Sequence, residues 1–70
     1  MDWIETPDSS NIARFGYDVS SMVLYVEFKK GGSYQYFDVP ESVFDAMRVA
    51  GSTGQFFGQN VKGVYRFART

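Results

Sequence analysis

A chain of 70 residues with 44% hydrophobic residues, seven Phe and five Tyr has apolar content enough for one compact core but not the length to divide it between two. It contains neither Cys nor His, which excludes disulfides, thiolate nucleophiles, the usual zinc ligand sets and His-based catalysis. Seven Lys and Arg against eight Asp and Glu leave a net charge of −1, so no strong field of either sign surrounds the chain, and nucleic-acid binding would have to rest on a local patch.

Residues 1–9 are polar around Thr6-Pro7, with one large anchor at Trp3-Ile4, and read as an N-terminal arm before a single domain over 10–70. Met1-Asp2 lacks the basic start of a signal peptide, the apolar stretch Met22 to Val26 is too short to cross a bilayer, and the missing disulfides favour a cytoplasmic setting. From Asn11 to Tyr17 the pattern predicts a first strand, with Ala13, Phe15 and Tyr17 on one side and Ile12, Arg14 and Gly16 on the other. Asp18 to Ser21 supplies a turn. The clearest strand is Met22 to Lys29, where Leu24, Val26 and Phe28 form a core face and Val23, Tyr25 and Glu27 alternate with them.

Lys30-Gly31-Gly32 tolerates positive φ and predicts a tight hairpin into a third strand, Ser33 to Asp38. Two registers are open. A three-residue loop with a glycine bulge sets Phe28 opposite Tyr34 and Val26 opposite Tyr36, with both tyrosines on the core face. A two-residue loop brings Phe37 to the core and turns the tyrosines outward. Double glycine suits the first.

At Asp38-Val39-Pro40-Glu41 the period changes, with Pro at a first helical turn and Asp38 and Glu41 spaced as a capping box. The helix runs from about Pro40 to Ala50, burying Val43, Phe44, Met47 and Ala50 and exposing Glu41, Asp45 and Arg48, with Gly51 as its stop. Ser52 and Gln55 repeat the capping pattern ahead of a short second helix that carries Phe56 and Phe57 and ends at Gly58. Val61, Gly63, Tyr65 and Phe67 then alternate with Lys62, Val64, Arg66 and Ala68, as in a short final strand or an extended tail. The expected class is α+β: a small antiparallel three- to four-stranded meander followed by one main helix and a short second helical turn.

Ser10-Asn11-Ile12 with Gly16-Tyr17-Asp18, Leu24-x-Val26-x-Phe28, Gly31 or Gly32, and Tyr34-x-Tyr36 ahead of Val39-Pro40 make one half of a longer pattern. Ala50-x-Ser52-x-Gly54-x-Phe56-Phe57 and Val61-Lys62-Gly63-x-Tyr65 make the other. In order and spacing they resemble the KTSC domain family, found at the C-terminus of some lysyl-tRNA synthetases and as free-standing small bacterial and phage proteins. Through the synthetase attachment the resemblance implies RNA as a ligand class, and the absence of a catalytic set makes the expected role that of a non-catalytic binding module.

Tyr34 and Tyr36, two residues apart on one strand, are the pair that could stack successive bases, although packing in the core is the commoner use of such rings. Lys29 and Lys30 at the hairpin, with Lys62 and Arg66 on the last segment, are candidates for phosphate contact, against the ordinary role of lysine at turns and sheet edges. Trp3, Phe56 and Phe57 define a different reading, an apolar surface for a host protein or a second copy of the chain, unless they complete the core. Ser52-x-Gly54 with Gly58 superficially suits a phosphate cradle, but capping and turn roles explain those residues, and a helix start explains the acid pair Asp38 and Glu41. No catalytic set, metal or cofactor is predicted, and no membrane partner.

Overall fold

The computed structural model describes every residue from Met1 to Thr70. Its elements are β1 (Trp3–Glu5), β2 (Ile12–Asp18), β3 (Val23–Phe28), β4 (Gly32–Tyr36), α1 (Glu41–Arg48), α2 (Thr53–Asn60) and β5 (Phe67–Arg69). The strands form one antiparallel sheet in the order β1-β2-β3-β4-β5, so the chain meanders through four strands, leaves for two helices and returns beside β4. The class is α+β as expected, with five strands instead of three or four. The strand in excess is β1, three residues long and too short for an alternation to declare itself, while the expected short final strand forms later than its pattern, as the three-residue β5.

Alternation in β3 places Leu24 and Val26 in the core at 0% exposure, with Phe28 packed beside them. On β2 the expected alternation breaks. Phe15 and Tyr17 are buried as predicted, but so is Ile12, because a bulge between Ile12 and Arg14 inserts a residue and turns Ile12 to the same side. The bulge is held from both ends: Ile12 N–H donates to Ser9 Oγ at 3.1 Å, and Thr6 Oγ1 donates to the Ile12 carbonyl at 2.7 Å.

The β3–β4 hairpin turns over three residues, Lys29 to Gly31, one position earlier than the sequence suggested. Phe28 therefore pairs with Gly32, Val26 with Tyr34 and Leu24 with Tyr36. The register differs from the expected pairing by two residues and keeps its parity, so both tyrosines lie on the helix-bearing face. Gly32 takes φ +83°, which a side-chain-bearing residue would adopt only with strain.

Helix α1 begins at Glu41 behind Pro40 with no side-chain cap. The expected Asp38–Glu41 box does not form: Asp38 sits at φ +58° and its carboxylate accepts from Arg66 at 2.9 Å instead. The helix stops at Arg48, short of Ala50, and lays Met47 into the core with Val43 and Phe44 beside it. Ser52 caps α2 as predicted, its Oγ accepting from Gln55 N–H at 3.3 Å. That helix continues through Gly58 to Asn60 and buries Phe57. Val61 to Tyr65 is a turn and not a strand, because the Lys62 N–H bonds back to Phe57 O and the Val64 and Tyr65 N–H groups to Val61 O, with Gly63 at φ +79°.

One hydrogen bond ties the layers together. The Tyr17 hydroxyl donates to the Val39 carbonyl, in the linker ahead of α1, and the Tyr17 ring stacks on Phe44 at 5.2 Å. Tyr17→Phe strands that buried carbonyl and is expected to lower stability by about 1–3 kcal/mol with an unchanged denaturant slope. Urea unfolding checks it, and an unaltered midpoint would show that the bond does not hold the linker.

Candidate nucleic-acid interface

Both helices cover one face of the sheet, and beside them, along β4 and β5, an open groove of about 540 Å³ remains. Five aromatic rings line it: Phe28, Tyr34, Tyr36, Phe57 and Phe67. They arrive on four elements, Phe28 at the end of β3 among them. Parity in the hairpin turns Tyr34 and Tyr36 to this side, α2 delivers Phe57, and the return of the chain as β5 sets Phe67 across both tyrosines, at 5.7 Å from each ring. Tyr36 is buried, Tyr34 is half-buried, and Phe67 is 59% exposed, so the groove grades from core to surface. Gly58 forms part of the α2 wall, and nothing lies within 4 Å of where its Cβ would stand, which leaves that side open.

The polar residues of the groove are Asn11, Lys30 and Lys62, and no carboxylate lines it. Lys30 comes from the hairpin tip and Lys62 from the turn after α2. Arg69 adds a third positive charge over the Tyr34 ring, at 5.9 Å from its centroid. A chain of net charge −1 thus keeps a cationic, aromatic concavity, the combination that contacts a phosphate and a base together. The cleft of about 310 Å³ between the end of β1 and the α1–α2 junction has the opposite character, setting Glu5 and Asp8 against Arg48. No three acidic residues converge on a point that could hold a metal ion.

Of the nucleic-acid candidates, Tyr34, Tyr36, Lys30 and Lys62 therefore meet in one place, joined by Phe57. Lys29 does not join them, because its ammonium group donates to the carbonyls of Pro7 and Ser9 and ties down the chain after β1. Arg66 is engaged by Asp38 and lies over Phe37 at 5.5 Å. Trp3 is not near Phe56 and Phe57. It pairs opposite Gly16, whose ladder neighbour is Tyr25, on the face of the sheet away from the helices, whereas Phe57 is core and Phe56 packs against the core.

Three side chains of the groove were missed as site residues from sequence, Phe28 having been read only as core. Phe67 stood in a tail whose strand pairing is non-local, and Asn11 stood next to a bulge. The uncovered face was missed as well: Trp3 meets Tyr25 edge-on at 6.3 Å, and Arg14 lies over the Trp3 ring at 4.2 Å while forming a two-pronged pair with Glu27. The alternation of β3 already set Tyr25 opposite Leu24 and Val26, and that was the signal available.

A family model described as KTSC domain matches residues 8–65. The crystal structure of a KTSC domain protein from Yersinia pestis superposes with a TM-score of 0.93 at 32% identity, covering 99% of this chain and 96% of that one. A protein of Tsukamurella paurometabola is 41% identical over 59 residues, 84% of this chain and 88% of its own length. A lysine–tRNA ligase of Nostoc punctiforme is 39% identical over 61 residues, which is 87% of this chain but only 11% of the ligase. No helix is long and apolar enough to cross a membrane.

Burial raises the Tyr17 and Tyr36 phenols above their ordinary value of 10.0, with Glu41 adding to the effect at Tyr17 and Tyr34 at Tyr36. The folded state therefore holds these protons longer than the unfolded state. Their contribution to stability is complete below pH 10 and is lost as pH rises through the higher folded values. The thermal midpoint is expected to fall above about pH 10, and the fall should be shallower in Tyr36→Phe. Equal alkaline profiles for the two proteins would show that Tyr36 is not shielded in this way.

Proposed function

This chain belongs to the KTSC domain family, and on that premise we propose that it is a non-catalytic module that binds single-stranded RNA in the groove beside α2. The observation that carries the reading is the carboxylate-free lining, with five aromatic rings and two lysines converging in a chain that is acidic overall. Unpaired bases offer a face to stack on Phe67 and Tyr34, and the adjoining phosphates meet Lys30 and Lys62. A duplex keeps its bases stacked inside, out of reach of a concave site of this size. The lysine–tRNA ligase relatives place a domain of this kind on a protein that handles RNA, which supports the same ligand class for this chain by analogy.

A host protein or a second copy docking through Trp3, Phe56 and Phe57 is the less supported reading, since those rings lie on different faces.

Fluorescence anisotropy with labelled single-stranded RNA and duplex RNA tests the proposal. Phe67→Ala is expected to weaken single-strand binding by the roughly 1–3 kcal/mol that a stacked base is worth. Lys62→Ala should weaken it and flatten the dependence of log K on log salt by about 0.7, the share of one phosphate on a single strand. Absence of single-strand binding at low salt, or affinity for duplex equal to that for single strands, would sink the reading.

A further inference from the structure

Asn11 stands at the groove with its amide orientation fixed by a relay. Ile12 N–H donates to Ser9 Oγ at 3.1 Å, which leaves the Ser9 hydroxyl hydrogen free to point at Asn11 Oδ1, 3.2 Å away. Oδ1 is thereby the acceptor of the pair, and Nδ2 has no partner within the protein. The place of that oxygen depends on a missing side chain, since a Cβ on Gly54 would stand 2.8 Å from Asn11 Oδ1. Asn11 Nδ2 and the Lys30 and Lys62 ammonium groups at the rim are donors only, while the Tyr34 and Tyr36 hydroxyls can donate or accept.

Resting on the single-stranded RNA reading, we infer that Asn11 reads the base held in the groove and selects uracil and guanine over cytosine and adenine. Uracil presents O4, and guanine presents O6, at the edge position where cytosine and adenine present an amine. An amide nitrogen donates to the carbonyl oxygen, whereas facing an amine it meets another donor and the bond is not made. The lysines and aromatic rings act alike on every base, so they set affinity and Asn11 sets preference.

The test measures anisotropy with oligouridine and oligocytidine of equal length, and with a mixed oligomer carrying inosine or adenosine at one position. These pairs differ at the base edge in keto against amino substitution. The unmodified protein is expected to favour uridine and inosine by about five- to tenfold, at the low end for base-edge hydrogen bonding. Asn11→Ala should bring both ratios near one while retaining binding, and Asn11→Asp, which keeps the Ser9 contact and replaces the donor by an acceptor, should reverse them. Gly54→Ala, displacing the Asn11 side chain without deleting it, should also lower the ratios, with circular dichroism confirming an intact fold. Ratios of one in the unmodified protein, or ratios unchanged by Asn11→Ala, overturn the inference while Lys62-dependent binding keeps the RNA reading standing. No binding of any oligomer overturns both.

Discussion

Pairing between β3 and β4 decides which side of the sheet receives the tyrosines, and most of the molecule follows from it. With Val26 opposite Tyr34 and Leu24 opposite Tyr36, the two rings share a face with the buried aliphatic row. A slip of one residue would exchange both rings for Gln35 and Phe37. Because the rings are on the inner side, Phe57 of α2 has an aromatic surface to meet edge-on at 5.4 Å from Tyr36, and β5 has two rings across which to lay Phe67. The groove is therefore the unfilled end of the core and not a separate construction. Its walls are held by the same contacts that hold the helices.

Charge is arranged by the same division into faces. On the uncovered side Arg14 is matched by Glu27, and Arg66 is matched by Asp38. These pairs are substantially exposed and contribute little to stability. Their consequence is spatial, since each carboxylate that engages an arginine elsewhere is one that does not neutralise Lys30 or Lys62. Lys29, next to Lys30 in sequence, is drawn in the other direction by two backbone carbonyls. A net charge near zero is thus compatible with a local cationic site, because binding of an anion responds to charges within a Debye length, about 8–10 Å, and not to the total.

How much of this was legible in the sequence depends on the range of the interactions involved. The alternation of β3, the Ser52 cap and the apolar stripe of α1 are local, and each was found where its pattern lay. The Ile12 bulge was not, since it is imposed by Thr6, Ser9 and the Lys29 N–H bond to Asn11 O, partners up to 18 positions away. Asp38 misled for a related reason: its spacing from Glu41 fits a cap, but Arg66, distant in sequence, competes for the carboxylate. Val61 to Tyr65 has the period of a strand and closes α2 as a turn, because Gly63 takes a positive φ and the backbone N–H groups bond back to the helix end. Of the candidate site, Tyr34, Tyr36, Lys30 and Lys62 were named in advance. Their convergence with Phe67 needed the non-local β4–β5 pairing.

A domain this small has few side chains to divide between stability and recognition, and the aromatic residues here serve both. Phe28, Tyr34, Tyr36 and Phe57 form a continuous edge-to-face and stacked cluster, from a core wall at Phe57 to the half-exposed Tyr34. Phe67 ends the series, exposed on a three-residue edge strand whose loss would uncover the tyrosines without touching the core formed by Ile12, Phe15, Leu24 and Met47. Rings fixed by mutual packing present a stacking surface with little side-chain freedom left to lose, which favours binding over a surface of mobile groups. The same rigidity explains why the polar members of the groove sit on turns and loops: Lys30 and Lys62 keep the freedom to follow a phosphate, while the surface beneath them stays still.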